Sequence, residues 1–212
     1  MIPTDPFNTA VARYEAWFDR HPYAYAAELA AVRDLMSAGM DGLEVGVGTG
    51  RFAAPLGIRT GVDPSEEMVA LARERGVHVV KGTAEQLPFA DARFEMVLMV
   101  TTLCFVSDTD RAIEEALRVL RPGGRLVVGI IDRNSALGAR YEAMKAGHLF
   151  YHTAHFHSAT EVATLLAAHG LVAIESRQTL FTDPDTMTVP EPVLPGHGEG
   201  GFVVFSGVVS TP

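Results

Sequence analysis

A single cysteine, Cys104, stands among 212 residues, so the chain can form neither an internal disulfide nor a zinc site built from several thiolates. Positive charge is scarce as well: 17 Lys and Arg face 26 Asp and Glu, a formal net charge of −9. That balance opposes the attraction that supplies most nucleic-acid affinity, and equally any attraction to anionic lipid, which excludes both as partners. Long apolar runs are missing, none nearing the ~20 residues that cross a bilayer. The opening MIPTDPFN has no basic stretch ahead of an apolar one, so no secretory leader is read there, and a reducing cytoplasm is the expected location. What the chain has in quantity is apolar side chains, 48% of the whole. That is enough for one substantial core, and a single domain over residues 1–212 is expected.

The pattern along the chain falls into three parts. Residues 1–40 read as a helical cap, with Val11, Tyr14, Trp17 and Phe18 at helical spacing before the His21-Pro22 break and an alanine-rich helix from Tyr23 to about Met36. In residues 41–132 strands are expected at Gly42–Val47, Ile58–Val62, Val77–Lys81, Phe94–Thr101 and Arg125–Ile131, with helices over Gly50–Pro55, Ser65–Arg75 and Asp108–Leu120. Strands joined by crossover helices imply a parallel sheet of an α/β fold, with ligands outside the carboxyl ends of its strands. In residues 133–212 the segment GHLFYHTAHFH precedes a helix over Ser158–His169 and two β-rich runs, Leu171–Phe181 and Gly201–Val209. No crossover helix fits between those runs, so they are expected to pair antiparallel.

The stretch LEVGVGTGRF places Gly46, Gly48 and Gly50 where the first strand hands over to a helix. Without Cβ atoms the backbone there is open to a ligand, although a plain tight turn would use the same residues. The dinucleotide fingerprint G-x-G-x-x-G is not met, because Arg51 stands where its third glycine belongs, and Glu44 would repel a pyrophosphate. The second strand ends in Asp63, placed to accept hydrogen bonds from both hydroxyls of a ribose or to cap the helix beginning near Ser65. A ribose, a positively charged head and no phosphate together describe S-adenosylmethionine.

At these residues the sequence resembles the class I S-adenosylmethionine-dependent methyltransferases, in the branch of the ubiquinone and menaquinone biosynthesis enzymes. LEVGVGTGRF is similar to the family's first motif and GVDPSEEMVALAR to its ribose-binding segment. GTAEQLPFADARFEMVLM is similar to its adenine-side and fourth-strand motifs, and EEALRVLRPGGRLVVG to the helix and strand that follow. The late strands and their loop look like a compact microbial subgroup whose substrate the motifs do not name. The resemblance implies a Rossmann-like, doubly wound sheet of seven strands, mostly parallel with the last antiparallel, in the order 3-2-1-4-5-7-6 under the helical cap. It implies that Glu44, Gly46, Gly48 and Gly50 lie along the methionine part, that Asp63, Pro64 and Met68 hold the ribose and adenine face, and that Thr83, Ala84 and Glu85 flank the adenine. Thr101 is implied to approach the methionine ammonium through its carbonyl, and Tyr14 and Tyr25 to reach the carboxylate. The plainer reading of Tyr14, Trp17 and Phe18 is the apolar face of a helix. The chain departs from the family at Thr83, where Asp is common, and at Glu95, where Asp follows Phe.

A methyl on positive sulfur is already activated, so the protein must align an attacker ~3 Å from it and exclude water. A general base is needed only if the nucleophile starts protonated. The candidates are His152, His155 and Tyr151, with His197 and Glu191 on the late loop behind them. The cluster His148, His152, His155 and His157 is not read as a metal site, since its spacing fits no helix and no Asp or Glu occurs between Ala143 and Ala159. Cys104 reads as a small buried hydrophobe. The segments 1–40, 133–157 and 183–200 are expected to define the acceptor, a small, partly apolar molecule attacking through O, N, C or S and leaving S-adenosylhomocysteine. Monomer and homodimer stay open. A non-catalytic S-adenosylmethionine sensor and a nicotinamide-dependent oxidoreductase are the alternative readings.

Overall fold

The structure, a computed structural model, describes residues 5–37 and 39–210; residues 1–4 and 38 of the expected cap lie outside the described residues. Three helices come first: α1 (Asp5–Thr9), α2 (Val11–Arg20) and α3 (Pro22–Asp34). α2 ends with the His21 N–H on the Trp17 carbonyl, and Pro22 opens α3 at a position whose N–H would have no helical partner in any case.

Five parallel strands follow: β1 (Gly42–Val45), β2 (Thr60–Asp63), β3 (His78–Lys81), β4 (Phe94–Val100) and β5 (Leu120–Ile131). The helices α4 (Ala53–Leu56), α5 (Glu66–Glu74) and α6 (Thr109–Val119) make the crossovers. Beyond them lie α7 (Ala136–Met144), α8 (Ala159–Ala168), β6 (Leu171–Thr179), β7 (Leu194–Pro195) and β8 (Phe202–Val209). The sheet runs β3-β2-β1-β4-β5-β8-β6-β7, and β8 is antiparallel to both β5 and β6. This is the expected order with one addition, the two-residue β7 on the outer edge. Its Pro195 has no N–H for a ladder and is tolerated at such an edge. The Pro122-Gly123-Gly124 turn lies inside β5 rather than ahead of it: Leu120 pairs with Phe94 and Arg125 with Met96, and the residues between them bulge out.

Residues alternate faces along each strand, and both faces are covered. Met96, Leu98, Val100, Val127 and Val204 pack on one side with Phe18, Ala31 and Ala72 of the helices. Val97, Met99, Leu126, Val128 and Val203 pack on the other with Ile113 and Leu166. Among the described residues no helix is long and apolar enough to cross a membrane. The strand order turns back between β1 and β4, so the carboxyl ends of β1, β2 and β4 share one rim, where α/β sheets bind ligands. Tyr14 of α2 stands over that rim: a Cβ added to Gly48 would lie 3.5 Å from its hydroxyl.

Candidate active site

The rim is built from backbone that turns where few side chains can. Gly46 has φ +71° and Gly48 φ +51°. A Cβ on Gly46 would press into Thr102, with Cγ2 at 2.7 Å. Thr102 cannot yield easily, because its hydroxyl joins the strand ends, lying 3.0 Å from the Val45 carbonyl and 3.1 Å from that of Val100. Gly48 donates its N–H to Asp63 Oδ2 at 2.8 Å, and Ser65 donates to Oδ1 at 2.9 Å. Ser65, rather than Asp63, is the N-cap of α5, its hydroxyl accepting from Met68 N–H. Burial pushes the Asp63 carboxyl up to about 6, while the two backbone N–H groups pull the other way. Thr101, just past β4, is held at φ +49°, a costly conformation for a β-branched residue and one found at sites more than in plain structure.

A cavity of about 110 Å³ opens over this rim. Gly46 and Gly48 line it from the loop, Asp63 and Pro64 from the end of β2, Met68 from α5, Thr83, Ala84 and Glu85 from the segment after β3, Thr101 from just past β4 and Tyr14 from α2. Three residues of the expected set are not on its wall. Gly50 faces α5, where an added Cβ would sit 3.3 Å from Ala72 Cα. Tyr25 donates its hydroxyl to the Arg51 carbonyl and packs on Phe18 and Phe52. Glu44 is buried within β1, and burial holds its pKa well above the usual range, opposed by the N–H of Ala53. Glu44 Oε2 has no hydrogen-bond partner among the described residues.

Among the described residues no Lys, Arg or His lines this cavity, whereas the acids Asp63 and Glu85 do. Glu85 Oε1 accepts the Ser107 N–H at 2.7 Å, and Oε2 is buried without a partner among the described residues. Arg51 points outward, 2.7 Å from Glu15 Oε2 and with its guanidinium 5.0 Å from the Phe18 ring. Glu15 also accepts from Thr49 and Arg75, which binds α2 to the loop. Against its burial, the hydrogen bonds from Arg51, Arg75 and Thr49 hold the Glu15 carboxyl down at about 2. The cavity thus offers hydrogen-bond acceptors and negative charge, and no counter-charge for a phosphate. It fits a cationic ligand bearing a diol and an amine.

A second cavity, about 290 Å³, shares Phe7, Tyr14, Thr101 and Phe105 with the first. Trp17, Phe18, Phe52, Tyr141, Phe150 and Tyr151 make it an aromatic chamber. Tyr151 stacks on Tyr141 at 5.1 Å and on His148 at 4.5 Å between ring centroids. Burial raises the Tyr151 hydroxyl well above its ordinary pKa, so it stays protonated and can donate. Burial lowers His148, which is then neutral near pH 7, its Nδ1 accepting the Tyr151 N–H at 3.1 Å. At the chamber's edge Arg140 pairs with both Asp183 and Asp185, and His21 Nε2 lies 2.8 Å from Asp185.

Of the expected catalytic residues, Tyr151 is on this wall. His152 is exposed, its Nδ1 2.9 Å from the Leu149 carbonyl, and His155 is exposed with its backbone N–H on the Cys104 carbonyl at 2.7 Å. Neither lines either cavity. His197 lies exposed beside Ser176, and Glu191 accepts the N–H groups of Phe181 and Thr182. Cys104 is buried, its thiol 3.2 Å from the Thr101 carbonyl and pushed up by burial to about 12. Among the described residues no group of three or more His, Cys, Asp or Glu stands where it could hold a metal ion.

Sequence reasoning passed over Glu28, which lines the chamber from the buried face of α3. The signal was present: Ala24, Glu28 and Ala31 fall on one stripe, and an acid on an otherwise apolar stripe is an anomaly.

The methyltransferase domain family matches residues 43–128. A crystal structure of an S-adenosylmethionine-dependent methyltransferase of Thermotoga maritima, described as a possible histamine N-methyltransferase, superposes with a TM-score of 0.94 at 49% identity, covering 97% of this chain and 99% of that one. An uncharacterized protein of Methanocaldococcus jannaschii is 44% identical over 200 residues, 94% of this chain and 97% of its own. A ubiquinone/menaquinone biosynthesis C-methyltransferase of Pseudomonas putida is 33% identical over 161 residues, 65% of this chain and 61% of its own. Glycine loop, acidic strand end, strand order and full-length kinship agree, and the chain belongs to the S-adenosylmethionine-dependent methyltransferases.

Proposed function

We propose that the protein transfers a methyl group from S-adenosylmethionine to a small, partly apolar acceptor, with the donor in the smaller cavity and the acceptor in the aromatic chamber. The observation that carries this reading is the junction of the two cavities at Tyr14 and Thr101. A donor site lined by acids there adjoins a larger, mostly aromatic space, and a sensor without catalysis would need no such space. When bound, S-adenosylmethionine supplies a methyl on positively charged sulfur, which a lone pair can displace.

The residues divide the work. Asp63 keeps acceptor capacity for ribose hydroxyls beyond its two backbone bonds. Gly46 and Gly48 leave room for the methionine part, with Thr101 and the Tyr14 hydroxyl beside it. Pro64 and Met68 supply apolar surface, and Thr83, Ala84 and Glu85 flank the adenine, with Glu85 Oε2 free to accept from its amine. Tyr151 stays protonated and orients the acceptor instead of acting as a base. The description of the Thermotoga maritima relative makes nitrogen the first acceptor atom to test.

Calorimetric titration with S-adenosylmethionine, S-adenosylhomocysteine and NAD tests the donor site, and transfer of labelled methyl to small amines, phenols and thiols tests the reaction. Micromolar binding of the first two without NAD, weakened in Asp63→Ala, is the expected result. A folded protein that binds neither adenosyl ligand would overturn the proposal.

A further inference from the structure

Glu28 is the group in this chamber that the fold leaves unanswered. It is 6% exposed, on a helix face otherwise made of Ala24, Ala27, Ala31 and Val32. Among the described residues no hydrogen bond or ion pair reaches its carboxylate, although it lines a cavity of about 290 Å³. The cations of that cavity are occupied or at its exposed side: Arg140 is held by Asp183 and Asp185, His21 by Asp185 and the Trp17 carbonyl, and Arg13 and Arg20 are exposed. The phenols of Tyr14, Tyr25, Tyr141 and Tyr151 feel its charge, and His148, on the same cavity wall, is held neutral by burial. A lone buried carboxylate among aromatic rings is complementary to one kind of guest, a compact cation that gains both an ion pair and contact with π-faces.

We infer that the acceptor is an amine that arrives as its ammonium, and that Glu28 holds the ammonium by charge and takes its proton before the methyl is transferred. The inference rests on the methyl-transfer reading above. An ammonium has no lone pair and cannot attack. In the proposed step an N–H bond breaks and an O–H bond forms on Glu28, leaving a neutral amine and a carboxylic acid. The freed lone pair forms the N–C bond as the S–C bond breaks, and the nitrogen is again positive in the product. Glu28 keeps that proton when product leaves, and the next ammonium to bind expels it. Burial raises the carboxyl to about 8, close enough to the about 10 of an alkylammonium for the proton to pass between them.

The same chemistry makes binding release a proton. Near pH 7 the empty site holds Glu28 mostly protonated, and pairing with an ammonium expels that proton into the buffer. The experiment is titration of the full chain, loaded with S-adenosylhomocysteine, with 2-phenylethylamine, butylamine and the neutral 2-phenylethanol in buffers of different ionisation enthalpy. An amine should bind at least about tenfold more tightly than the alcohol and release close to one proton per site. In Glu28→Gln both the preference and the proton release should vanish while affinity for S-adenosylhomocysteine, which also reports folding, is kept; Glu28→Asp should retain part of each.

Amines that bind no better than the alcohol, or a glutamine variant that still prefers them and still releases a proton, would overturn the inference. If the wild type binds S-adenosylhomocysteine but no amine, the donor reading stands and this inference falls. If it does not bind S-adenosylhomocysteine at all, both fall.

Discussion

The Asp63 carboxylate takes the backbone N–H of Gly48 with one oxygen and that of Ser65 with the other, at 2.8 and 2.9 Å. One side chain therefore fixes the glycine loop and the start of α5 together, and any change to it is felt in both. Asp63→Ala should lower S-adenosylmethionine affinity by about a hundredfold or more and stability by roughly 2–4 kcal/mol, two hydrogen bonds to a charged group being lost. Asp63→Asn, which keeps one acceptor, should fall between. Calorimetry and urea denaturation on the same preparations separate the two losses.

The glycines of the loop should separate fold from ligand. Gly46→Ala meets both a left-handed φ and the Thr102 side chain and should cost about 3 kcal/mol of stability. Gly48→Ala meets the φ but no clash, its Cβ coming into ordinary contact 3.5 Å from the Tyr14 hydroxyl. It should cost about 1 kcal/mol yet weaken the donor more per unit of stability lost. Equal stability losses in the two variants would contradict this account.

Burial raises Glu28 from 4.5 to about 8 and Asp63 from 3.8 to about 6. Both acids hold protons more tightly folded than unfolded. Their contribution to stability is full below pH 4, starts to fall as the unfolded chain ionises and levels off above pH 8. Glu28→Gln should remove the larger part of this fall, gaining on the wild type by up to ~1.4 kcal/mol per pH unit between pH 5 and 8. Parallel stability curves for the two proteins over that range would be the contrary result.

Glu15 has the opposite sign. Held down at about 2, it stabilises the fold above its ordinary 4.5, and that stabilisation is lost as pH falls towards 2. Glu15→Ala unfastens α2 from Arg51, Arg75 and Thr49. Amide hydrogen exchange along Val11–Arg20 should quicken severalfold, and S-adenosylmethionine should dissociate faster, while strands β4 and β5 keep their protection.

Cys104 should be inert in the native protein. Its thiol is buried and pushed up to about 12, so almost none is thiolate at pH 8. Iodoacetamide should label it only on the timescale of unfolding, as mass spectrometry with and without denaturant would reveal.

The parts of this molecule legible in the sequence are those whose constraint is local. Gly46 and Gly48 are glycines because the chain turns with positive φ there, and Asp63 stands at the end of the short strand that follows the loop. The strands β4 and β5 read as runs of Met, Val, Leu and Ile because both faces are buried. Glu28 was legible as an acid on an apolar stripe, but not what it faces, because the chamber is assembled from α2, α3, α7 and the turn at 148–151, and no window of sequence contains them together. The histidine cluster misled for a related reason: irregular backbone places Tyr151 on the chamber wall and His152 in solvent, an alternation that no period predicts. β7 is two residues long, too short for any pattern.

The position of β8 has a consequence for how the chain is made. Phe202–Val209 lies between β5 and β6, hydrogen-bonded to both, so it fills the middle of one half of the sheet. Until synthesis has passed residue 209 a growing chain carries two unpaired strand edges facing a gap, each able to pair with another copy. The early strands can settle on the ribosome, whereas this half must wait for the slowest kind of contact, between segments far apart in the chain. Deleting those eight residues would therefore split a core and leave aggregation, not a trimmed enzyme, as the outcome.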